Sequence, residues 1–533
     1  MPPCPHACFA HAPTPFFCLS PRPRPPYIPV DPPGVRDGPD RNPPNSMMNT
    51  AFSVLRETFG HPDFRGLQKA VIERLLTTPE SAGHSLVLMP TGAGKSLCYQ
   101  VPALTLPGGT LVISPLIALM QDQVDALRKK GVPAGFINAT VSRADREKRV
   151  ADFVEGKLKL LYVTPERFRK PEFVAAIRQA RIDLMAVDEA HCVSEWGHDF
   201  RPDYSRLGEF REWIGNPLTI ALTATATPTV QRDIVEKLHL PAGGVKTFHQ
   251  GIERPNLRLE AHDVISESEK MDHIQAVLDR YKGPGIIYFS LIKSLDNYSD
   301  LLRKRRIRHG IYHGKLSPGE RKRVQRRFLD GSEPIMLATN AFGMGIDKPD
   351  IRFVLHVEMP GSLEAYYQEI GRAGRDGAPS LCRLLFGQAD LGLQMDFIRW
   401  ANPEPHFYDR LMGLLYEHNE ALNGLGADFL REELNYKNRG DFRVETALNM
   451  LDRWGVTEGN LSEKNLRLVE NEIPDHLLDE EHFQRKLMSD REKLLAVVQY
   501  FRDEGCRRVR ISDYFGFPGE SRCGNCDNCD QLS

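Results

Sequence analysis

Met89-Pro90-Thr91-Gly92-Ala93-Gly94-Lys95-Ser96 sets two glycines, a lysine and a hydroxyl side by side, behind an apolar run and ahead of a helix-forming one. Residues of these types at this spacing are suited to holding phosphate. Glycines let backbone N–H groups approach the oxygens, and the following helix N-terminus favours negative charge. The lysine reaches the terminal phosphates and the serine ligates Mg²⁺. Met89 stands where the general pattern has its first glycine. Ninety residues on, Asp188-Glu189-Ala190-His191 closes another apolar run. One carboxylate there can hold the metal while the other polarises an attacking water. A third group, Gln368-Glu369-Ile370-Gly371-Arg372-Ala373-Gly374-Arg375-Asp376-Gly377, offers Arg372 and Arg375 on a glycine-spaced turn. An arginine that reaches a γ-phosphate from another lobe can be worth about 10³ to 10⁵ in rate. The chemistry implied is hydrolysis of ATP with Mg²⁺, through Lys95, Ser96, Asp188, Glu189 and those arginines.

Cys506, Cys523, Cys526 and Cys529 give a C-x₁₆-C-x₂-C-x₂-C pattern. Four thiolates at this spacing suit tetrahedral zinc or an iron–sulfur centre. The closed ligand set leaves no open position, so the metal is expected to be structural. The other six of the ten cysteines are scattered and do not read as a secreted disulfide framework.

Groups so far apart must be brought together by strands and helices. At 533 residues the chain calls for several domains. Short apolar runs at 85–89, 110–114, 160–163, 184–187 and 219–222 each end where a polar or glycine-containing motif begins, which is where open parallel sheets bind ligands. After Arg254-Pro255-Asn256 a second series runs through 285–289, 335–338, 353–356 and 382–386. The fold class expected is α/β, with two tandem parallel-sheet lobes, followed by a mainly helical region and a metal module. The expected boundaries are a proline-rich disordered tail at 1–48, lobes at 49–250 and 251–395, a helical insert at 396–476 and the metal module at 477–533. Met47 and Met48 mark an alternative start that would remove the tail. In the insert, 407–422, 427–434 and 443–454 read as helices and 456–469 as a hairpin. That order fits a winged helix that binds duplex DNA, and equally a packing insert with no such contact.

A net charge of −2 excludes a bulk electrostatic field for polyanions, so nucleic-acid binding needs local basic surfaces. The dense Lys/Arg runs at 303–308 and 321–327 read first as solvated helix faces. No apolar run is long enough to cross a bilayer, and the first thirty residues lack a signal-peptide core. A cytoplasmic protein with no membrane partner is expected.

The phosphate loop, Asp-Glu-Ala-His and Gln-x-x-Gly-Arg-x-Gly-Arg, in that order over two lobes, resemble superfamily 2 helicases, and more closely the RecQ family. The resemblance is also carried by Phe64-Arg65-Gly66-Leu67-Gln68, by residues 222–226 and 338–349, and by the segment 192–204, similar to the family's aromatic-rich loop. It implies that Arg65 and Gln68 recognise adenine, that Thr91, Gly92, Gly94, Lys95 and Ser96 hold the phosphates, and that Arg375 is the better arginine finger. It also implies zinc at the four cysteines and a relay of nucleotide state through Thr223 and Thr225. In the aromatic segment, Trp196, His198 and Phe200 offer faces for stacking on unpaired bases and Arg201 adds charge, although such rings also serve as core anchors. The activity implied is 3′-to-5′ translocation and unwinding of DNA in recombination and repair, on single strands and tailed duplexes, at the chromosome, with a single-strand-binding protein as a candidate partner. Two rivals stand beside it, an RNA helicase and a DNA remodeller that anneals or tethers without unwinding. In the family's commonest order the zinc module follows the lobes closely and a winged helix comes after it. Here the insert intervenes, and the end of the chain four residues past Cys529 leads to the expectation that no accessory domain follows.

Overall fold

The computed structural model describes residues 44–138, 140–197, 199, 201–343, 346–418, 421–435, 441–461, 464–474, 477–517 and 522–531. Thus most of the expected tail, with His198 and Phe200, lies outside the described residues. The tail's expected boundary shifts: 44–48 belong to the helix Pro44–Glu57, and Met47 is buried in the first lobe's core. Met47, Ala51 and Leu55 recur at helical spacing on one face, which is why the helix docks there.

The first lobe is a seven-stranded sheet in the order β3-β4-β2-β5-β6-β1-β7, with β1 at His84–Leu88, β2 at Gly109–Ile113, β3 at Ala134–Ile137, β4 at Leu160–Val163, β5 at Ile182–Val187, β6 at Leu218–Thr223 and β7 at Val245–His249. All its pairings are parallel. The central strands are buried on both faces, as helices on either side of a parallel sheet require. The order sets β5, β6 and β1 side by side, so the ends of three motif-bearing strands share one edge.

The second lobe is a six-stranded parallel sheet, β10-β11-β9-β12-β13-β8, from β8 (Leu257–Asp263), β9 (Gly285–Tyr288), β10 (Gly310–Tyr312), β11 (Ile335–Ala338), β12 (Phe353–His356) and β13 (Ser380–Phe386). Its last helix, Gln388–Ala401, runs through the boundary expected at 395.

The insert has its own core, built by the helices Pro405–Glu417, Leu422–Asn435 and Arg443–Arg453 and the short hairpin of β14 (Thr457–Glu458) and β15 (Arg467–Leu468). Gly426 interrupts the second helix with φ +75°, a conformation open to glycine. Three helices followed by a hairpin is the winged-helix order. The helix Glu480–Arg502 then returns to the lobes and leads into the cysteine module. That module lies on the outer strand of the second sheet. Leu259 bridges Cys526, the Ala261 N–H donates to Asp527 at 2.9 Å, and Arg258 pairs with Asp530 at 2.5 Å.

Candidate functional site

The phosphate loop leaves β1 at Leu88 and enters the helix Leu97–Thr105. Gly92 and Gly94 both have φ of +82°, a backbone that side chains with a Cβ seldom adopt. Met89 departs from the glycine pattern without disturbing the loop, because it is buried in the core and its N–H donates to Thr223 O at 3.1 Å.

Three strand ends converge here. Asp188 and Glu189 follow β5; Glu189 sits at φ 47° and ψ 48°, a left-handed conformation costing about 1–3 kcal/mol that persists only where surroundings enforce it. The turn directs the Glu189 N–H to Asp188 Oδ1 at 3.1 Å. Burial and the adjacent Glu189 charge push the Asp188 carboxyl up to about 7, against the opposing pull of Lys95. Glu189 Oε2 lies 3.5 Å from His191 Nδ1, and the same nitrogen is 2.9 Å from the Thr223 hydroxyl. That hydroxyl also donates to Thr225 O at 3.2 Å. A hydrogen-bonded pair, His191 and Thr223, therefore lies between Glu189 and the Thr223–Thr225 turn after β6, although Glu189 approaches it without a hydrogen bond.

The arginine turn arrives from the second lobe. Thr91 Oγ1 donates to Gly371 O at 3.0 Å, and the Arg375 methylenes lie so close to Gly92 that a Cβ there would be 3.3 Å from them. Arg375 thus reaches the phosphate loop. It also bonds Asp347 at 3.0 Å and Ile346 O at 2.9 Å. Arg372 is buried deeper and donates to Gly343 O. The turn is held from below by Arg254, which donates to Ala373 O at 2.7 Å and Gly374 O at 2.9 Å, and by Asn256. Arg254-Pro255-Asn256 had been read only as the start of the second lobe; nothing local in sequence tells of contacts about 120 residues away.

Several polar atoms here are buried without a hydrogen-bond partner: Lys95 Nζ, the Nε atoms of Arg372 and Arg375, and Glu189 Oε2. Such atoms are costly unless a ligand completes them. Three cationic groups and a carboxylate around a glycine loop match a nucleoside triphosphate with its divalent ion. Ser96 and Asp188 stand at the loop and strand ends from which that ion would be held. Gln68 lies against the loop: its Nε2 donates to Gly94 O at 3.1 Å and its Oε1 accepts from the Arg65 N–H at 2.9 Å. It braces the loop, while the Arg65 side chain is exposed beside it.

Beyond Asp-Glu-Ala-His, the short 3₁₀ turn Ala190–Val193 leads into the aromatic segment. Trp196 is half-buried and packs on the first lobe's core, so anchoring accounts for part of that ring. Arg201 pairs with Asp199 at 3.2 Å and donates to Pro115 O at 3.3 Å, tying the segment to the loop after β2. In the C-terminal module, the sulfurs of Cys506, Cys523, Cys526 and Cys529 lie within 4.8 Å of one another. With metal–sulfur bonds of about 2.3 Å, tetrahedral zinc needs this crowding.

Paired parallel-sheet lobes with a phosphate loop on one and an arginine turn from the other define a two-lobed helicase core. DEAD/DEAH box helicase sequences match residues 65–233, the conserved helicase C-terminal domain matches 269–377, and the RecQ zinc-binding family matches 464–530. The Bacillus subtilis ATP-dependent DNA helicase RecQ is 44% identical over 67% of this chain, which spans 60% of that relative's length. The Synechocystis ATP-dependent DNA helicase RecQ is 35% identical over 89% of this chain and 97% of its own. The probable ATP-dependent DNA helicase RecS of B. subtilis is 34% identical, over 90% and 92%. The chain belongs to the RecQ family of ATP-dependent DNA helicases. In fold it is similar to MrfA, a DUF1998 helicase solved bound to DNA (TM-score 0.53, 16% identity, 80% of this chain and 63% of that one). It is likewise similar to Mss116p bound to single-stranded RNA and AMP-PNP (TM-score 0.52, 14% identity, 80% and 97%).

Proposed function

We propose that this protein unwinds DNA, moving 3′ to 5′ along one strand at the expense of ATP, in recombination and repair at the chromosome. The observation that carries the reading is Arg375 of the second lobe lying against Gly92 of the phosphate loop, beside a buried Lys95 Nζ without a hydrogen-bond partner. Hydrolysis then depends on the lobes being closed, and lobe closure is the motion a translocase needs. Magnesium supplies charge neutralisation at the phosphates when nucleotide is bound. Lys95 and Arg375 bind the terminal phosphates from opposite lobes, Ser96 and Asp188 orient the ion, and Glu189 accepts the proton of the attacking water. His191, Thr223 and Thr225 connect Glu189 to the strand ends, and Trp196 and Arg201 engage unpaired bases and backbone. The cysteine module holds zinc as a structural element.

The test is displacement of a labelled strand from duplexes with 3′ or 5′ single-stranded tails, with ATPase recorded in the same reaction. Displacement from the 3′-tailed substrate alone is expected. ATPase without displacement would support a translocase or annealing remodeller, and stronger stimulation by RNA than by matched DNA would sink the DNA reading. Lys95→Ala should abolish the ATPase, and Glu189→Gln should lower kcat about 10²- to 10⁴-fold while nucleotide still binds.

A further inference from the structure

A cavity of about 900 Å³ lies where the two lobes and the insert meet, well beyond the size of a packing void. One wall is the C-terminal ends of the second sheet: Ser290 after β9, Asn340 after β11 and His356 closing β12 all line it. Another is Glu195 and Gly197 of the aromatic segment. The third wall is the insert's third helix, Arg443–Arg453. Thr446, Met450 and Arg453 at helical spacing, with Trp454 at the helix end, line the cavity, while Val444, Ala447 and Leu451 fill the insert's own core, on which Met450 and Trp454 also pack.

Two features of the lining ask for a ligand. His356 is 1% exposed and uses Nε2 on Glu369 at 2.7 Å, leaving Nδ1 with no hydrogen-bond partner. Arg453 is exposed and its guanidinium touches the Met450 sulfur at 3.6 Å; Asp203 and Asp452 are near enough to act on its charge, but among the described residues no carboxylate forms an ion pair with it. The acids of the lining are already engaged: Glu358 accepts from the Ser290 and Leu291 N–H groups, Asp490 pairs with Lys486 at 2.8 Å, and Glu195 faces His482 at 3.4 Å. A cation without an ion pair and the Trp454 ring beside it are the parts from which single-strand sites are built.

We infer that single-stranded DNA passes through this cavity, with the insert's third helix as a roof over the strand. The inference rests on the DNA-motor reading above and deepens it. The helix stripe points inward against the lobes, so it is not presented to a major groove as duplex readers present theirs. The roof is fastened to the first lobe by Arg169–Asp452 at 3.5 Å and to the second by the Trp400 and Phe442 rings, 5.5 Å apart.

The experiment is fluorescence anisotropy of a dye-labelled oligothymidylate and of a labelled blunt duplex, on the full chain. Arg453→Glu is expected to lower affinity for the oligothymidylate about ten-fold and to reduce the slope of log K against log salt by about 1. Thr446→Arg, a gain that misfolding cannot mimic, is expected to tighten binding. Unchanged oligothymidylate affinity in both variants overturns the roof. A change confined to the blunt duplex overturns it too, in favour of a duplex-reading insert. A parent protein that binds no oligothymidylate overturns the motor reading itself, whereas a binding parent with two unaffected variants overturns only the roof.

Discussion

Arg375 shows what a single side chain contributes that its neighbours cannot. Its methylenes cover Gly92 while Nε remains without a partner, so the guanidinium is already across the cleft and available to phosphate. Arg375→Ala should therefore lower kcat by about 10³-fold with nucleotide affinity largely retained, as steady-state ATPase and nucleotide-binding titrations would check. Equal loss in both would make it a binding residue. A second residue-scale prediction concerns His84, buried in β1, where Nδ1 accepts from the Thr219 N–H at 3.1 Å and Arg211 lies beside the ring. Burial, with the Arg211 and Arg74 charges, lowers its pKa to about 4. The folded state thus binds fewer protons than the unfolded one between about pH 6.5 and 4, and stability is lost as pH falls through that window. His84→Asn keeps an acceptor for Thr219 and should flatten the decline of Tm between pH 7 and 5; parallel curves would refute the assignment. At this scale the phosphate-loop motif was legible because its spacing is local in sequence. The contacts of Gln68, His191 and Arg254 were not, since their partners are brought near only by the fold.

The elements show where sequence pattern carries information and where it thins out. Every interior strand of both sheets, β1, β2, β4, β5 and β6, then β9, β11, β12 and β13, was legible as an apolar run. The four missed strands, β3, β7, β8 and β10, are the four sheet edges. An edge strand can carry charge, as Lys246 in β7 and Arg258 in β8 illustrate, whereas β3 is buried throughout and its run of four residues is merely short. β8 is nevertheless shielded, because the cysteine module covers its open side through Asn525, Cys526, Asp527 and Asp530. Removing a zinc ligand should then loosen a strand some 260 residues earlier. Cys526→Ala is expected to lose the metal, lower Tm and raise amide hydrogen exchange across Leu257–Asp263, with β1 and β5 unaffected. Unchanged protection in β8 would mean that the module merely touches the lobe.

On the proposed function, the whole molecule has to convert lobe motion into a change at the aromatic segment, and the helix Glu480–Arg502 is placed to do this. At about 1.5 Å per residue its 23 residues reach roughly 35 Å. Near its C-terminal end Tyr500 packs on Tyr366 of the helix that leads to the arginine turn, their rings tilted and 5.3 Å apart. Midway, Lys493 donates to Gly197 O at 3.0 Å, in the aromatic segment that follows Glu189. A helix touching both the arginine-bearing lobe and the segment that follows Glu189 would couple the two without a conformational change of its own. Lys493→Met cuts that tie yet strands no charge, because Asp490 keeps Lys486 at 2.8 Å and Asn402 at 3.0 Å. The variant should retain its DNA-independent ATPase and lose most of the stimulation by single-stranded DNA, read from ATPase titrations with and without an oligonucleotide. Full stimulation would show that coupling runs through the phosphate cleft alone, by way of His191 and Thr223. The distinction matters for the family resemblance as well, since the lobes were legible from motifs alone, whereas a rod recruited from beyond the insert is visible only once the chain has folded back on itself.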